Sequence, residues 1–443
     1  MALIALIPAI FCTVALFFWP PARVFRNIVL PVIILLPLYY SFKAPLVPPI
    51  DFGDAVLIPL GIGLTLRALP FWRYTLMDLW LILFVISTGV ADRLAGYSTG
   101  STFELFDSVS KILVPYMAGK LLIEQDGNRA ATLKRIVTLM VVAAIPSFYE
   151  VFWHDNLYRA AFQPYLFANS VWLTQMRNGF GRLAGPYAQA ELAGMVFLVG
   201  AVFALFLARY FHWGERFRHA PWLPVRKSTL VIAVLLLALI LTQSRGPELG
   251  ILIAIPIALV GRSRRVLRSI FIAVVFAAVV GSASYVAIMR YTDTQQIKSE
   301  DQSSAVYRKI LLDNYLPLAE HGGPWGRGLS FLDYHAVGAQ ASIDNEYLFV
   351  WITQGYVGIA AFLLLVGGTL TNLVLATIYS PQKIDRSFAF TLLGIFVGLL
   401  FVVATVFLGV QALIFFFLIV GWSQTLRTPP AERKHPALQQ VYT

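Results

Sequence analysis

Apolar runs of roughly 20 residues, each long enough to cross a hydrocarbon core, recur along this chain from its start almost to its end. They fall at 2–19, 24–41, 52–70, 75–91, 103–123, 131–149, 187–208, 228–243, 246–261, 269–288, 346–378, 387–407 and 409–424. None shows the short alternation that a transmembrane β-strand needs. The pattern predicts an all-α, polytopic transmembrane helix bundle of about 13 spans, with 12 to 14 compatible. Pro31 and Pro37 break the second run, and Gly409 divides the last two. There is no internal repeat and no separate soluble region, so residues 1–443 read as one integral membrane domain.

Two longer polar stretches interrupt this rhythm. Residues 150–186 are rich in aromatics, including Phe152, Trp153, Tyr158, Phe162, Tyr165, Phe167 and Trp172. Such rings settle at the membrane–water interface, so this is expected to be an interfacial loop. Residues 289–345, ahead of the eleventh span, are the most polar part of the chain. A short helix is expected from Ala305 to Glu320, after which Gly322, Gly323, Pro324, Gly326 and Gly328 break regular structure. Long loops on a rigid scaffold are where function concentrates.

Composition agrees with the pattern: 58% of residues are hydrophobic and 13% charged, too few charges for a water-soluble surface. The net charge of +11 is explained by where the basic residues fall. Arg23 and Arg26 follow the first run, Arg67 and Arg73 the third, and Lys120, Arg129, Lys134 and Arg135 the fifth. The same alternation continues to the basic tail. By the positive-inside rule that side is the cytoplasm, which puts the amino terminus and both long loops outside and the carboxyl terminus inside. No nucleic-acid partner is implied. The first run is uncharged and reads as a span rather than a cleaved signal. Cys12 is the single cysteine, so no intrachain disulfide can form, and no Cys/His spacing suggests a metal site.

A few arginines stand on the other side. Arg177 and Arg182 lie in RNGFGRLAGPY, and Arg245 in TQSRGPELG, a loop too short to carry its guanidinium far from the bilayer. Glu191 and Glu248 are available to pair with Arg182 and Arg245, since charges near the hydrocarbon usually find partners. Three arginines at one rim also suit an anionic ligand, which guanidinium groups bind through parallel hydrogen bonds. The Gly-Pro pairs in both segments place proline in a first helical turn, whose exposed N–H groups would add to anion affinity. Asp107 and Lys111, four apart, read as an internal salt pair.

RNGFGRLAGPYAQAELAG (177–194), LTQSRGPELGILIA (241–254), YRKILLDNYLP (307–317), GPWGRGLSF (323–331) and DNEYLFVWITQGYVGIAAFLLL (344–365) occur here in that order. In this order they resemble the O-antigen ligase and polymerase family, polytopic enzymes that handle undecaprenyl-diphosphate-linked sugars at the outer face of the bacterial inner membrane. The resemblance covers about residues 50–424. The RxGxxR segment followed by Gly-Pro is most similar to members associated with exopolysaccharide production. The resemblance implies a metal-independent, inverting glycosyl transfer from a lipid-linked oligosaccharide donor to a glycan acceptor, without a cofactor. It implies membrane lipids around the chain, other polysaccharide assembly and export proteins as compatible partners, and a periplasmic amino terminus. It also implies that Arg182 and Arg245 stabilise the leaving diphosphate, with Arg308 a further candidate, and that Asn345 contacts substrate.

The family usually carries His-Asn where this chain has Asp344-Asn345, and that histidine is its favoured base. Here the base is either Asp344 or His335, nine residues earlier in the loop. Asp344 is also a good helix N-cap. His321 is a weaker candidate, and Glu346 sits further into the helix and is not preferred. A ligase acting on a lipid A core, a lipid-linked glycan flippase and a non-catalytic subunit of a secretion assembly are the competing readings. Against a flippase, the polar residues gather at one face instead of mid-membrane.

Overall fold

The structure of the protein, a computed structural model, describes residues 2–45, 47–68, 72–124, 127–164, 167–168, 174–177, 179–211, 226–261, 263, 268, 300–334 and 343–426. Helices follow the apolar runs. The first group comprises α1 (Ile7–Phe18), α2 (Pro21–Val24), α3 (Leu30–Leu35), α4 (Phe52–Ala68), α5 (Leu76–Leu94), α6 (Ser98–Ser108) and α7 (Val114–Leu121). Next come α8 (Asn128–Trp153), α9 (Leu157–Phe162), α10 (Ala190–Tyr210), α11 (Lys227–Leu241) and α12 (Arg245–Val260). The last five are α13 (Glu300–Glu320), α14 (Leu329–Tyr334), α15 (Glu346–Tyr379), α16 (Lys383–Val403) and α17 (Val410–Thr425). π-Helical turns at Phe25–Val29 and Val109–Leu113 join α2 to α3 and α6 to α7. The run at 269–288 lies outside the described residues.

The all-α expectation holds, and the protein is a multi-pass membrane protein. Among the described residues four helices, α8, α10, α15 and α16, are long and apolar enough to cross a membrane, while α1, α11 and α17 are apolar but shorter. Helix α4 has 17 residues, and α5 carries Asp78, Asp92 and Arg93. Among the described residues helices stand at the expected places, but a count of about 13 full spans is not confirmed. The second run also differs. It leaves the helical conformation at Leu36 (ψ 146°), because the ring of Pro37 disfavours a helical residue before it.

The chain continues from there as strand β1 (Tyr40–Ala44), which pairs antiparallel with β2 (Val47–Asp51) and with β3 (Phe167–Ala168). A second hairpin, β4 (Met176–Arg177) with β5 (Phe180–Gly181), lies in the same aromatic loop. Part of the expected interfacial loop thus docks on another loop of the same side.

The two sides keep apart in their contacts. At the basic end, Lys120 pairs with Asp78 at 2.7 Å and lies over the Trp72 ring. Arg129 bridges Glu124 (2.5 Å) and Asp385 (2.6 Å), and the Trp422 indole donates to Glu124. At the loop-rich end Tyr40 pairs with Ala168, Arg177 donates to Gln243 O, Gln411 donates to Pro186 O, Leu408 N donates to Glu346, and Gly246 packs against Thr405.

Helices meet closely where side chains are small, as lipid-embedded helices must when no water is released by their contact. A Cβ on Gly398 would stand 2.7 Å from the Gly250 carbonyl oxygen, and one on Gly394 would stand 2.4 Å from that of Ala254. Gly250, Ala254 and Ala258, spaced by four, form the α12 side of this seam against α16.

Helix α15 is broken at Gly355 (φ 66°, ψ −160°). The break strands backbone groups on either side of it, and the glycine-rich turn of the large loop takes them up. Arg327 N donates to Ile352 O and Gly328 N to Thr353 O, both at 2.9 Å; Val357 N donates to Pro324 O at 2.9 Å and Tyr356 N to Gly323 O at 3.3 Å. The loop is further pinned to α5, where Asp92 accepts from the backbone (3.0 Å) and hydroxyl (2.8 Å) of Ser330. Gly355→Ala would force a Cβ to 2.3 Å from Gly326 N at a left-handed φ. A loss of about 1–3 kcal/mol is expected, read as a lowered melting temperature of the purified protein and faster proteolysis between Gly322 and Tyr334. Unchanged melting and cleavage would show that the interlock carries no stability.

Candidate active site

The three arginines singled out in the sequence come together, although they do different things. Hairpin β4–β5 lies against the turn between α11 and α12: Leu183 N donates to Leu241 O at 3.0 Å, and Arg177 Nη1 donates to Gln243 O at 2.7 Å. Gln243 itself takes a left-handed φ of 49°. Glu248, in the first turn of α12, lies within electrostatic reach of Arg177, Arg182 and Arg245. One carboxylate thus marks the centre of the cluster.

Arg182 is buried, and each nitrogen of its guanidinium has a protein partner. Nε donates to Thr242 O (3.1 Å), Nη2 to Glu191 Oε1 (2.5 Å), and Nη1 to the Gln175 amide oxygen. The pairing with Glu191 that the sequence allowed is present. Arg182 therefore fastens the hairpin to α10 and the end of α11. Arg177 is half-buried and Arg245, the first residue of α12, is exposed.

The Gly-Pro expectation holds for one segment and fails for the other. Pro247 does sit in the first turn of α12. Pro186 does not start a helix, because α10 begins at Ala190. Residues 184–186 instead turn tightly, with Gly185 at φ 61° and a Cβ there placed 2.1 Å from the Ser147 hydroxyl. The N–H groups of Ala184 and Gly185 are already taken by Glu150 Oε2, at 2.9 and 2.8 Å. That buried carboxylate, missed in the sequence, removes them from any ligand.

At the start of α15 the roles also sort themselves. Asn345, not Asp344, is the N-cap: its side chain accepts from Leu348 N at 3.1 Å. The half-buried Asp344 is thus relieved of the capping role expected for it. Glu346, passed over in the sequence, is 5% exposed and accepts from Leu408 N at 2.7 Å. This ties the helix start to the segment between α16 and α17. The same segment reaches the arginines, because a Cβ on Gly246 would lie 2.9 Å from the Thr405 hydroxyl. Residues 402–408 thus touch both the α12 start and the α15 start. His335 and the Arg308 side chain lie outside the described residues.

Between α5, α6 and the α15 start is a cavity of about 290 Å³ lined by Lys111, Asp107, Glu104, Glu346 and Gln354 among others. The expected Asp107–Lys111 pair forms there, and Lys111 also meets Asp51 at 2.8 Å and Asp54 at 4.0 Å. The extra carboxylates come from the β2–α4 corner, too distant in sequence for helical spacing to reveal. Among the described residues no cluster of His, Cys, Asp and Glu could hold a metal ion.

Residues 230–363 match the family model described as O-antigen ligase. No curated protein matches the chain. The matched stretch runs from α11 through the first half of α15 and contains Arg245 and Asp344, while Arg177 and Arg182 precede it. Over that stretch the chain is similar to the O-antigen ligase family.

The separate duties of the arginines predict separate phenotypes. Arg182→Ala is expected to lower stability by about 3 kcal/mol, because it strands Glu191, the Thr242 carbonyl and the Gln175 amide oxygen. Arg245→Ala is expected to stay within about 0.5 kcal/mol of wild type. Thermal unfolding of both purified variants measures this, and equal losses would refute the division.

Proposed function

We propose that the protein is a membrane glycosyltransferase that polymerises undecaprenyl-diphosphate-linked oligosaccharide repeat units into exopolysaccharide or O-antigen at the outer face of the inner membrane. The observation that carries this reading is the meeting of the arginine cluster and the Asp344–Asn345 helix start around residues 402–408. The family match over 230–363 supports the donor chemistry. On this reading the large loop, the hairpin loop and the amino terminus are periplasmic and the carboxyl terminus is cytoplasmic.

The acceptor hydroxyl oxygen attacks the anomeric carbon of the donor, its proton passes to a base, and the bond from that carbon to the diphosphate oxygen breaks. The electron pair leaves with the lipid diphosphate. Negative charge therefore grows on the diphosphate in the transition state, where preorganised cations are worth most. Arg245, exposed at the helix start, and Arg177 beside it meet that charge. Arg182 acts through them as a positioning residue, since each of its three nitrogens already helps fasten the hairpin to α10 and the end of α11. Asp344 is the base, supported by its place at the helix start within the matched stretch, directly before the Asn345 cap. His335 is the second candidate, and Arg308 a further phosphate contact.

Purified protein supplied with lipid-linked repeat units is expected to lengthen them without an energy source or membrane potential. Movement of the lipid between leaflets with no lengthening would favour a flippase, and transfer only to a lipid A core would make the protein a ligase. In the same assay Arg245→Ala should reduce turnover about 10²–10³-fold. Asp344→Asn should reduce it at least about 10²-fold while His335→Ala stays near wild type. The opposite pair of results would give the proton to His335.

A further inference from the structure

We propose that Arg327, at the break in α15, holds the phosphate of a lipid apart from the arginine cluster, and that this lipid carries the glycan acceptor. The second half rests on the transferase reading, in which the strand transferred and the unit that receives it are both lipid-linked. Two lipid diphosphates need two places, because like charges brought to one site repel.

Arg327 is half-buried in the glycine-rich turn, and its backbone is fixed by the bond from N to Ile352 O. Its Nε is shielded from solvent and has no hydrogen-bond partner among the described residues. The guanidinium carbon lies 5.4 Å from the centre of the Phe331 ring, which offers no lone pair to the N–H donors. Arg159 and Arg182, on the same side of the protein, instead pair with Asp155 and Glu191. The carboxylate that borders the turn, Asp92, is taken up by Ser330 through both oxygens. Glu320, which precedes the turn, is exposed, so water and salt screen it. A further open donor lies one residue from the same backbone contact: Trp351 Nε1 is also buried and unpartnered among the described residues. Open donors beside a fixed positive charge call for a ligand rich in acceptors and negative, and a phosphate is both.

The turn also stands at the head of an apolar stripe. Tyr356 N donates to Gly323 O, and its hydroxyl donates to Glu320 O at 3.0 Å, so this residue belongs to the turn and to α15 at once. Tyr356, Leu363, Leu364, Val374 and Ile378 are all exposed, and their spacing puts them on one face of the helix. In a multi-pass membrane protein such a face meets hydrocarbon chains. The Trp351 and Tyr356 rings, 5.8 Å apart, are the kind that settle at headgroup level. A headgroup at Arg327 therefore has room for its tail along this stripe, which favours a lipid phosphate over a free anion. Arg177 and Arg245 stand at the turn between α11 and α12, whereas Arg327 stands where the large loop meets α15 and α5. The two sites reach the α15 start from different neighbours.

The probes are farnesyl diphosphate and phosphatidylglycerol, added to the full-length protein in phosphatidylcholine nanodiscs and counted by native mass spectrometry. Wild-type protein is expected to hold two farnesyl diphosphates and Arg327→Met one. Arg327→Lys keeps the charge without the fork and should weaken the second binding event about tenfold. Melting temperatures of both variants should stay near wild type. A count that Arg327→Met leaves unchanged, or a melting temperature lowered by several degrees, makes the guanidinium an internal fastener and overturns the site. Phosphatidylglycerol that displaces the second farnesyl diphosphate at equal concentration makes this a bilayer-lipid site and overturns the acceptor assignment. In the lengthening assay Arg327→Met should raise KM for the added repeat unit about tenfold with kcat near wild type. Lengthening with an unchanged KM overturns the acceptor role and leaves transfer standing. Loss of one bound lipid in Arg327→Met, with no lengthening by wild-type protein, keeps the lipid site and removes the transferase reading.

Discussion

No backbone group can be left unpaired at membrane depth, and this constraint organises the functional end of the protein. A helix broken inside a bundle is tolerated only where protein takes over the released donors and acceptors. Helix α15 breaks at Gly355, and the turn at 323–328 replaces the missing bonds one by one. The large loop is therefore built into the helix it precedes. Asp92 then anchors the loop to α5, so the first two turns of α15 are held on one side by α5 and the loop. On the other side Glu346 holds them to the segment between α16 and α17. The positions of Asp344, Asn345 and Glu346 follow from these ties.

Charge at this end is divided by the same scaffold. The arginines stand where the hairpin meets the α11–α12 turn, accompanied by Glu191 and Glu248. The carboxylates gather around Lys111, where the β2–α4 corner meets α6.

Most of the helix positions were legible because a lipid-facing helix announces itself by the length of its apolar run. The Leu36 break was not placed by that rule, although Pro37 supplied the reason for it. The arginine cluster was legible as a set, because alternate loops share a side. What was not legible were partners distant in sequence. Glu150 captures Ala184 and Gly185 from 34 and 35 residues away, and Asp51 reaches Lys111 across a corner. Local spacing carries no trace of either. The Glu346 contact is hidden for the same reason, since Leu408 N donates to it from 62 residues away.

Arg182 shows why proximity to a ligand site is weak evidence of contact with the ligand. Its motif places it among the phosphate-binding candidates, yet each of its guanidinium nitrogens already has a protein partner. Drawing it to a diphosphate would strand Glu191 and Thr242 O in a setting where unpaired polar groups are costly. Replacement by alanine would abolish activity under either role, so loss of product alone cannot assign it. Stability separates the two roles: a phosphate ligand leaves the empty protein little affected when removed, whereas a fastener does not. The bonds of Arg182 to Thr242 O, Gln175 and Glu191 are those of a fastener, shaping the surface that carries Arg177 and Arg245.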